Sequence, residues 1–128
     1  MATVDFTNHV VPRRVLVVED QLLAALSIRT ILTADRHIVE IAENGERALA
    51  MFKAAPHDLV ITDFKLASMD GLRLAQAIKE HSPATPVFLI TAYIEKLGGK
   101  LPNIDLVLGK PFAVAELQRA VRDAFSNA

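Results

Sequence analysis

Hydrophobic positions along the chain fall into two alternating kinds of segment. Short runs rich in branched residues occur at Val15-Leu16-Val17-Val18, Ile38 to Ala42, Leu59-Val60-Ile61, Val87-Phe88-Leu89-Ile90 and Leu106-Val107-Leu108. Their length and composition predict five strands. The first, third and fourth runs lack the in–out alternation of a half-solvated strand, which predicts strands covered on both faces. Between the runs the apolar spacing becomes helical. Glu46 to Ala54 places Ala48, Leu49 and Phe52 on one face; residues 71 to 81 do the same with Leu74, Ala75 and Ile78, stopping before Pro83 and Pro86. Residues 113 to 125 carry Val114, Leu117, Val121 and Phe125 on one stripe, and Leu22 to Ala34 is apolar nearly all round. The apolar excess of that segment suits either core or a docking face for a kinase helix. Ile94 to Lys100 is a poor helix, because Gly98 and Gly99 dilute it. Residues 1 to 13 have no such pattern and end at a proline-containing stretch; they read as a loose arm ahead of one domain over 14 to 128.

Strands alternating with helices predict an α/β fold, a parallel sheet between two helical layers. Ligands collect in such sheets outside the carboxyl ends of the strands, where the strand order reverses. At those ends stand Glu19-Asp20, Thr62-Asp63, Thr91 and Gly109-Lys110-Pro111. Three carboxylates, a hydroxyl and an ammonium are therefore directed to one edge. Two carboxylates ~4 Å apart repel by ~4 kcal/mol at an effective dielectric of 20, and unpaired buried charge costs more. A hard divalent cation such as Mg²⁺, which takes oxygen ligands and often uses one or two carboxylates, relieves the conflict. With Lys110 it neutralises the three acids and leaves room for a phosphoryl group, for which an aspartate is a known acceptor.

Composition narrows the classes further. A chain of 128 residues that is 52% hydrophobic and 23% charged has room for one folded domain. Its formal net charge of −1, from 14 basic and 15 acidic residues, offers no electrostatic footprint for nucleic acid. The absence of cysteine excludes a disulfide framework and a thiolate metal site. No apolar run approaches the about 18 residues of a membrane span, and no signal-peptide layout begins the chain, so a cytoplasmic protein is expected. His9, His37, His57 and His81 lack metal-ligand spacing and are expected to be solvated. Asp70-Gly71 reads as a turn and helix start without chemistry.

Four motifs in order, Val17-Val18-Glu19-Asp20, Asp63 to Gly71, Ile90-Thr91-Ala92 and Gly109-Lys110-Pro111-Phe112, together with Asn44-Gly45-Glu46 and Ala48-Leu49, resemble the response-regulator receiver domains of two-component signalling. The resemblance runs from about Arg14 to Phe125. It implies a flavodoxin-like, doubly wound five-stranded sheet of order 2-1-3-4-5. It also implies roles: Asp63 as phosphoacceptor; Asp20 as a direct Mg²⁺ ligand, Glu19 as one through water, and the Lys65 backbone carbonyl as a further ligand. Thr91 would hydrogen-bond the phosphoryl oxygen, Lys110 would pair with it, and the Lys110-Pro111 bond would be cis. The implied partners are a histidine kinase or phosphotransfer protein and a downstream protein target, with neither nucleic acid nor membrane.

Some positions depart from the family pattern. Ala67 stands where proline is usual, which is expected to loosen the loop after Asp63, and Val107 replaces an aromatic. The stretch from Thr91 to Lys110 is short. Tyr93, the only tyrosine, lies two residues after Thr91. It is expected to take over the switching role of the missing aromatic, with residues 91 to 101 as the bistable element. Only Ser126, Asn127 and Ala128 follow Phe125, so the expectation is a stand-alone phosphorylated switch rather than an enzyme acting on a substrate. Two other readings compete with it. One is a receiver-like binding module that is never phosphorylated; intact Asp20, Asp63, Thr91 and Lys110 weigh against it. The other is an aspartyl-phosphate hydrolase, which needs a second acid two residues after the nucleophile, where this chain has Lys65.

Overall fold

The computed structural model describes residues 11–94 and 101–126. Strands β1 (Arg14–Val18), β2 (Ile38–Ala42), β3 (Leu59–Asp63), β4 (Val87–Thr91) and β5 (Leu106–Gly109) alternate with helices α1 (Leu22–Ala34), α2 (Gly45–Ala54), α3 (Gly71–His81) and α4 (Val114–Ala124). All pairings are parallel, and the sheet order is β2-β1-β3-β4-β5. Each expected strand and helix is present within a residue or two of its predicted bounds, the segment 94 to 100 aside. That segment lies outside the described residues from position 95 on, as do positions 1–10 of the expected arm. At Arg13 the chain is already tied down: its N–H donates to His37 Nδ1 (3.0 Å), its carbonyl accepts from Ile38, and its guanidinium lies 4.3 Å from the Phe125 ring centroid.

Successive residues of each inner strand point to opposite faces, so the sheet builds two cores. Val15, Val17, Leu59, Ile61, Phe88 and Ile90 pack on one face under Ile28 and Leu32 of α1 and Leu117 and Val121 of α4. Leu16, Val18, Val60 and Val87 pack on the other under Ala48 and Phe52 of α2 and Leu74, Ala75 and Ile78 of α3. β1, β3 and β4 are buried almost throughout, which is why their sequences show no alternation, whereas edge strand β2 alternates. α1 buries Ala25, Ile28 and Leu32, but Leu22 and Leu23 at its start are 64% and 83% exposed.

Local chemistry fixes the helix ends. The Asn44 and Asp70 side chains accept from the backbone N–H of Arg47 (2.7 Å) and Arg73 (2.9 Å), capping α2 and α3. Before α4 no side chain can cap at Ala113, and Glu116 instead accepts from the Ala113 N–H (3.3 Å). α1 closes through Arg36 N–H to Thr33 and His37 N–H to Leu32. This closure sets Arg36 at φ 71°, the left-handed position usually given to glycine.

Two histidines expected in solvent are buried. His57 is 4% and His37 5% exposed. His37 accepts from Arg13, and His57 Nε2 meets Glu40 Oε1 at 2.7 Å while its ring stacks on Phe52. The partners, Arg13 and Glu40, are remote in sequence, so nothing adjacent announces them. His57 Nδ1 has no hydrogen-bond partner among the described residues. His81 is exposed, and His9 lies outside the described residues.

Two measurements check this framework. The left-handed conformation costs a non-glycine residue about 1 kcal/mol, so Arg36→Gly should raise unfolding free energy by about 0.5–1 kcal/mol in urea titration; a loss contradicts the closure. Burial lowers the pKa of His57 from 6.5 despite the opposing pull of Glu40. A buried histidine with a lowered pKa contributes stability that is complete above its unfolded value and is lost as pH falls below it. Between pH 7 and 5.5 the thermal midpoint should therefore fall more steeply in the parent than in His57→Gln. Equal slopes would refute the assignment to His57.

Candidate functional site

The strand register gathers the candidate residues. Asp63 of β3 pairs with Ile90, Thr91 of β4 pairs with Gly109, and Val18 of β1 pairs with Thr62. The residues that leave these strands, Glu19-Asp20 after β1, Lys65 after β3 and Lys110 after β5, therefore emerge at one carboxyl edge. β1 and β3 are neighbours, while the chain runs outward from them to β2 on one side and to β4 and β5 on the other. The crevice lies at this reversal. Asp20, Gln21, Asp63, Phe64, Lys65, Thr91, Ala92, Tyr93 and Lys110 line it, enclosing about 380 Å³. Among the described residues, a larger hollow of about 720 Å³ between α2, α3 and Asn103 brings together Asp70, Arg73 and Glu80 but no such cluster of acids.

Carboxylate oxygens of Glu19, Asp20 and Asp63 lie within 4.8 Å of one another. Glu19 is buried, Asp63 partly buried and Asp20 exposed. Lys110 Nζ bridges two of them, 3.2 Å from Glu19 Oε1 and 3.3 Å from Asp63 Oδ1. Burial raises the Glu19 pKa above 4.5, and Asp20 and Asp63 add to it; the Gln21 N–H and Lys110 favour the carboxylate without cancelling the effect. Burial works against the Lys110 charge, but Asp63 and Glu19 outweigh it and hold the ammonium above 10.5. Among the described residues Lys110 alone pairs with these acids, so it is shared, and negative charge remains in excess. Three clustered carboxylates opening onto solvent, with one cation among them, match the oxygen-rich, net-anionic donor set that a hard divalent ion takes.

The floor of the crevice is rigid. The Phe64 N–H donates to both Ile90 O (3.0 Å) and Asp63 Oδ1 (3.1 Å), and the Thr62 hydroxyl donates to Asp63 O (2.9 Å). Thr91 is 1% exposed, and its Oγ1 accepts from the Tyr93 N–H at 2.9 Å, which leaves its own proton to donate. The Lys110-Pro111 bond is cis. The loop after Asp63, where Ala67 replaces proline, has two ties: Ser68 Oγ donates to Glu46 Oε2 (2.6 Å), and Gly71 N–H donates to Phe64 O (2.8 Å).

Every candidate residue reaches this edge, and two further features lie beyond the reading of spacing. Gly71 does more than begin a helix: a Cβ there would collide with the Asp63 carbonyl and come within 2.8 Å of Leu89 Cδ1. The Lys65 side chain is the second: its Nζ lies 5.5 Å from the Tyr93 ring centroid. Neither could be seen without the packing, although an Asp-Gly pair seven and eight positions after a strand-end aspartate is a weak signal for the first. Lys65 also occupies the place where aspartyl-phosphate hydrolases usually carry a second acid.

Gly71→Ala tests the close approach. Glycine to alanine in a helix otherwise gains roughly 0.5–1 kcal/mol, but overpacking against backbone costs about 1–3 kcal/mol. A net loss of stability in denaturant titration is expected, and a gain would show that α3 does not press on Asp63.

The comparisons agree with this geometry. The model of the response regulator receiver domain matches residues 15–122. The response regulator MprA of Mycolicibacterium vanbaalenii is 31% identical over 114 residues, which cover 87% of this chain and 49% of the relative. The transcriptional regulatory protein ResD of Bacillus subtilis is 30% identical, over 97% of this chain and 55% of ResD. The chain thus spans about half the length of these relatives, and a transcriptional role is not carried over to it. Among solved structures, Vibrio cholerae CheY4 aligns with a TM-score of 0.81 at 26% identity, covering 90% of this chain and all of CheY4. Thermotoga maritima TrrA, solved in complex with Mg²⁺ and BeF, aligns at 0.82 with 29% identity, over 88% of this chain and 99% of TrrA. Among the described residues no helix is long and apolar enough to cross a membrane. The chain belongs to the response-regulator receiver family, the phosphoacceptor domains of two-component signalling.

Proposed function

We propose that Asp63 is the residue that accepts the phosphoryl group, from a histidine kinase or phosphotransfer protein, and that the domain over residues 14–128 then signals by altered binding to a downstream protein target. The observation that carries this is the cluster of Glu19, Asp20 and Asp63 within 4.8 Å, bridged by Lys110 3.3 Å from Asp63. Asp20 and Asp63 would hold Mg²⁺ directly, Glu19 through water, and the Lys65 carbonyl would complete the protein's share. When bound, Mg²⁺ supplies positive charge to phosphoryl oxygens that the three acids would otherwise repel.

The chain's own residues do the rest. A carboxylate oxygen of Asp63 bonds to phosphorus as the phosphorus–nitrogen bond of a donor phosphohistidine breaks; the nitrogen keeps the electron pair and is reprotonated from solvent. A hydrogen bond from Phe64 N–H and the ion pair with Lys110 keep one Asp63 oxygen fixed, orienting the carboxylate. Lys110 then follows the charge onto a phosphoryl oxygen, and the Thr91 hydroxyl donates to another. Leu22 and Leu23, exposed one turn from Asp20, offer apolar surface to the donor protein beside the crevice. No substrate is turned over: the product is the phosphorylated protein itself, a switch rather than an enzyme.

Incubation with a labelled kinase or a small acyl phosphate should modify the parent only in the presence of Mg²⁺. Asp63→Asn should abolish the label, and Asp20→Asn should weaken Mg²⁺ binding. Undiminished labelling of Asp63→Asn would sink the assignment.

A further inference from the structure

Resting on the reading of Asp20, Asp63 and the Lys65 carbonyl as Mg²⁺ ligands, we propose that Ser68 and Glu46 are positioning residues for that metal. The hydrogen bond between them braces the loop over residues 64–70 against α2, and with it the backbone that carries the Lys65 carbonyl. The loop is pinned at its two ends by the main chain: Phe64 N–H donates to Ile90 O (3.0 Å) and Gly71 N–H to Phe64 O (2.8 Å). Neither bond reaches the residues between. Lys65, Ala67 and Ser68 are exposed, and Ala67 leaves free the φ torsion that a proline would fix.

What holds the middle of the loop comes from α2. Ser68 Oγ donates to Glu46 Oε2 at 2.6 Å, the short distance of a hydroxyl–carboxylate bond. One residue on, Met69 packs on Gly45, the neighbour of Glu46, where a Cβ would stand 2.9 Å from Met69 Sδ. Both contacts fall on the first turn of α2, and that turn is the firm partner. Asn44 caps it at the Arg47 N–H (2.7 Å), and Ala48 and Phe52 anchor the helix in the core. Leu66 and Met69 pack against the same core, so apolar contact presses the loop inward. Such contact has no direction, whereas a hydrogen bond does, and the Ser68–Glu46 bond decides where along α2 the loop lies. Lys65 stands three residues before Ser68, within the braced stretch. Mg²⁺ demands near-ideal octahedral ligand geometry, and torsions fixed beforehand need not be fixed when the ion arrives. Groups one step behind a metal's ligands tune its affinity in this way.

Mg²⁺ binding to the unphosphorylated protein is measured by titration calorimetry, with urea unfolding in the absence of metal as the control for stability. Ser68→Ala, which alters no charge, should weaken Mg²⁺ binding by about two- to fivefold, the span that an exposed contact to a charged group can shift. Its metal-free urea midpoint should stay close to that of the parent. Ser68→Thr keeps the hydroxyl and should bind Mg²⁺ as the parent does. In a Glu46→Ala background, Ser68→Ala should have no further effect on the metal, because the bond is already gone. Parent-like Mg²⁺ affinity in Ser68→Ala overturns the proposal. So does a loss shared by Ser68→Thr, or a loss from Ser68→Ala that is equal with and without Glu46. A parent that binds no Mg²⁺, or an Asp20→Asn protein that binds it as the parent does, rejects the metal reading of the site itself, and this proposal with it.

Discussion

The crowding of three carboxylates around one lysine is the constraint on which the rest of this protein depends. It is imposed by the sheet, since parallel strands in register deliver Glu19, Asp63 and Lys110 to one edge whether or not their charges agree. At the effective dielectric near a protein surface, like charges about 4–5 Å apart cost roughly 3–4 kcal/mol, a sizeable part of the about 5–15 kcal/mol by which domains are stable. The molecule carries that load on its two dense cores, in which Phe52, Leu16, Leu32, Leu59, Ile61 and Leu117 are fully buried. Lys110 relieves part of it by bridging Glu19 and Asp63, while burial, with Asp20 and Asp63 beside it, keeps the Glu19 pKa raised. A site left electrostatically unsatisfied by its own residues favours cations over anions until a cation has bound. That ordering suits a centre that must gather a metal before it meets a phosphoryl donor.

Rigidity is distributed unevenly around the crevice. Asp63 is fixed from below by Phe64 and Thr62 and from the side by Gly71, whose missing side chain lets α3 reach the Asp63 carbonyl. The mouth is the reverse, with Asp20, Lys65 and Tyr93 all exposed. A fixed Asp63 beneath an exposed rim suits the proposed function, in which positioning for transfer needs the first and a readable change of surface needs the second.

Much of this was legible in the sequence, for reasons that particular residues make plain. Val15 to Val18 and Val87 to Ile90 show no alternation because both of their faces are covered, so the doubly wound architecture was visible before any coordinates. Glu19-Asp20, Asp63, Thr91 and Lys110 were legible because each ends a strand or follows directly on one, where chain position and position in space coincide. What escaped were contacts between elements distant in sequence. His57 finds Glu40 17 residues away, and His37 finds Arg13 24 residues away; a histidine's own neighbours do not reveal such partners. Gly71 read as a turn residue, because its service to Asp63 exists only once α3 is packed. The Lys65 side chain was assigned nothing, since its link to Tyr93 depends on two loops emerging side by side.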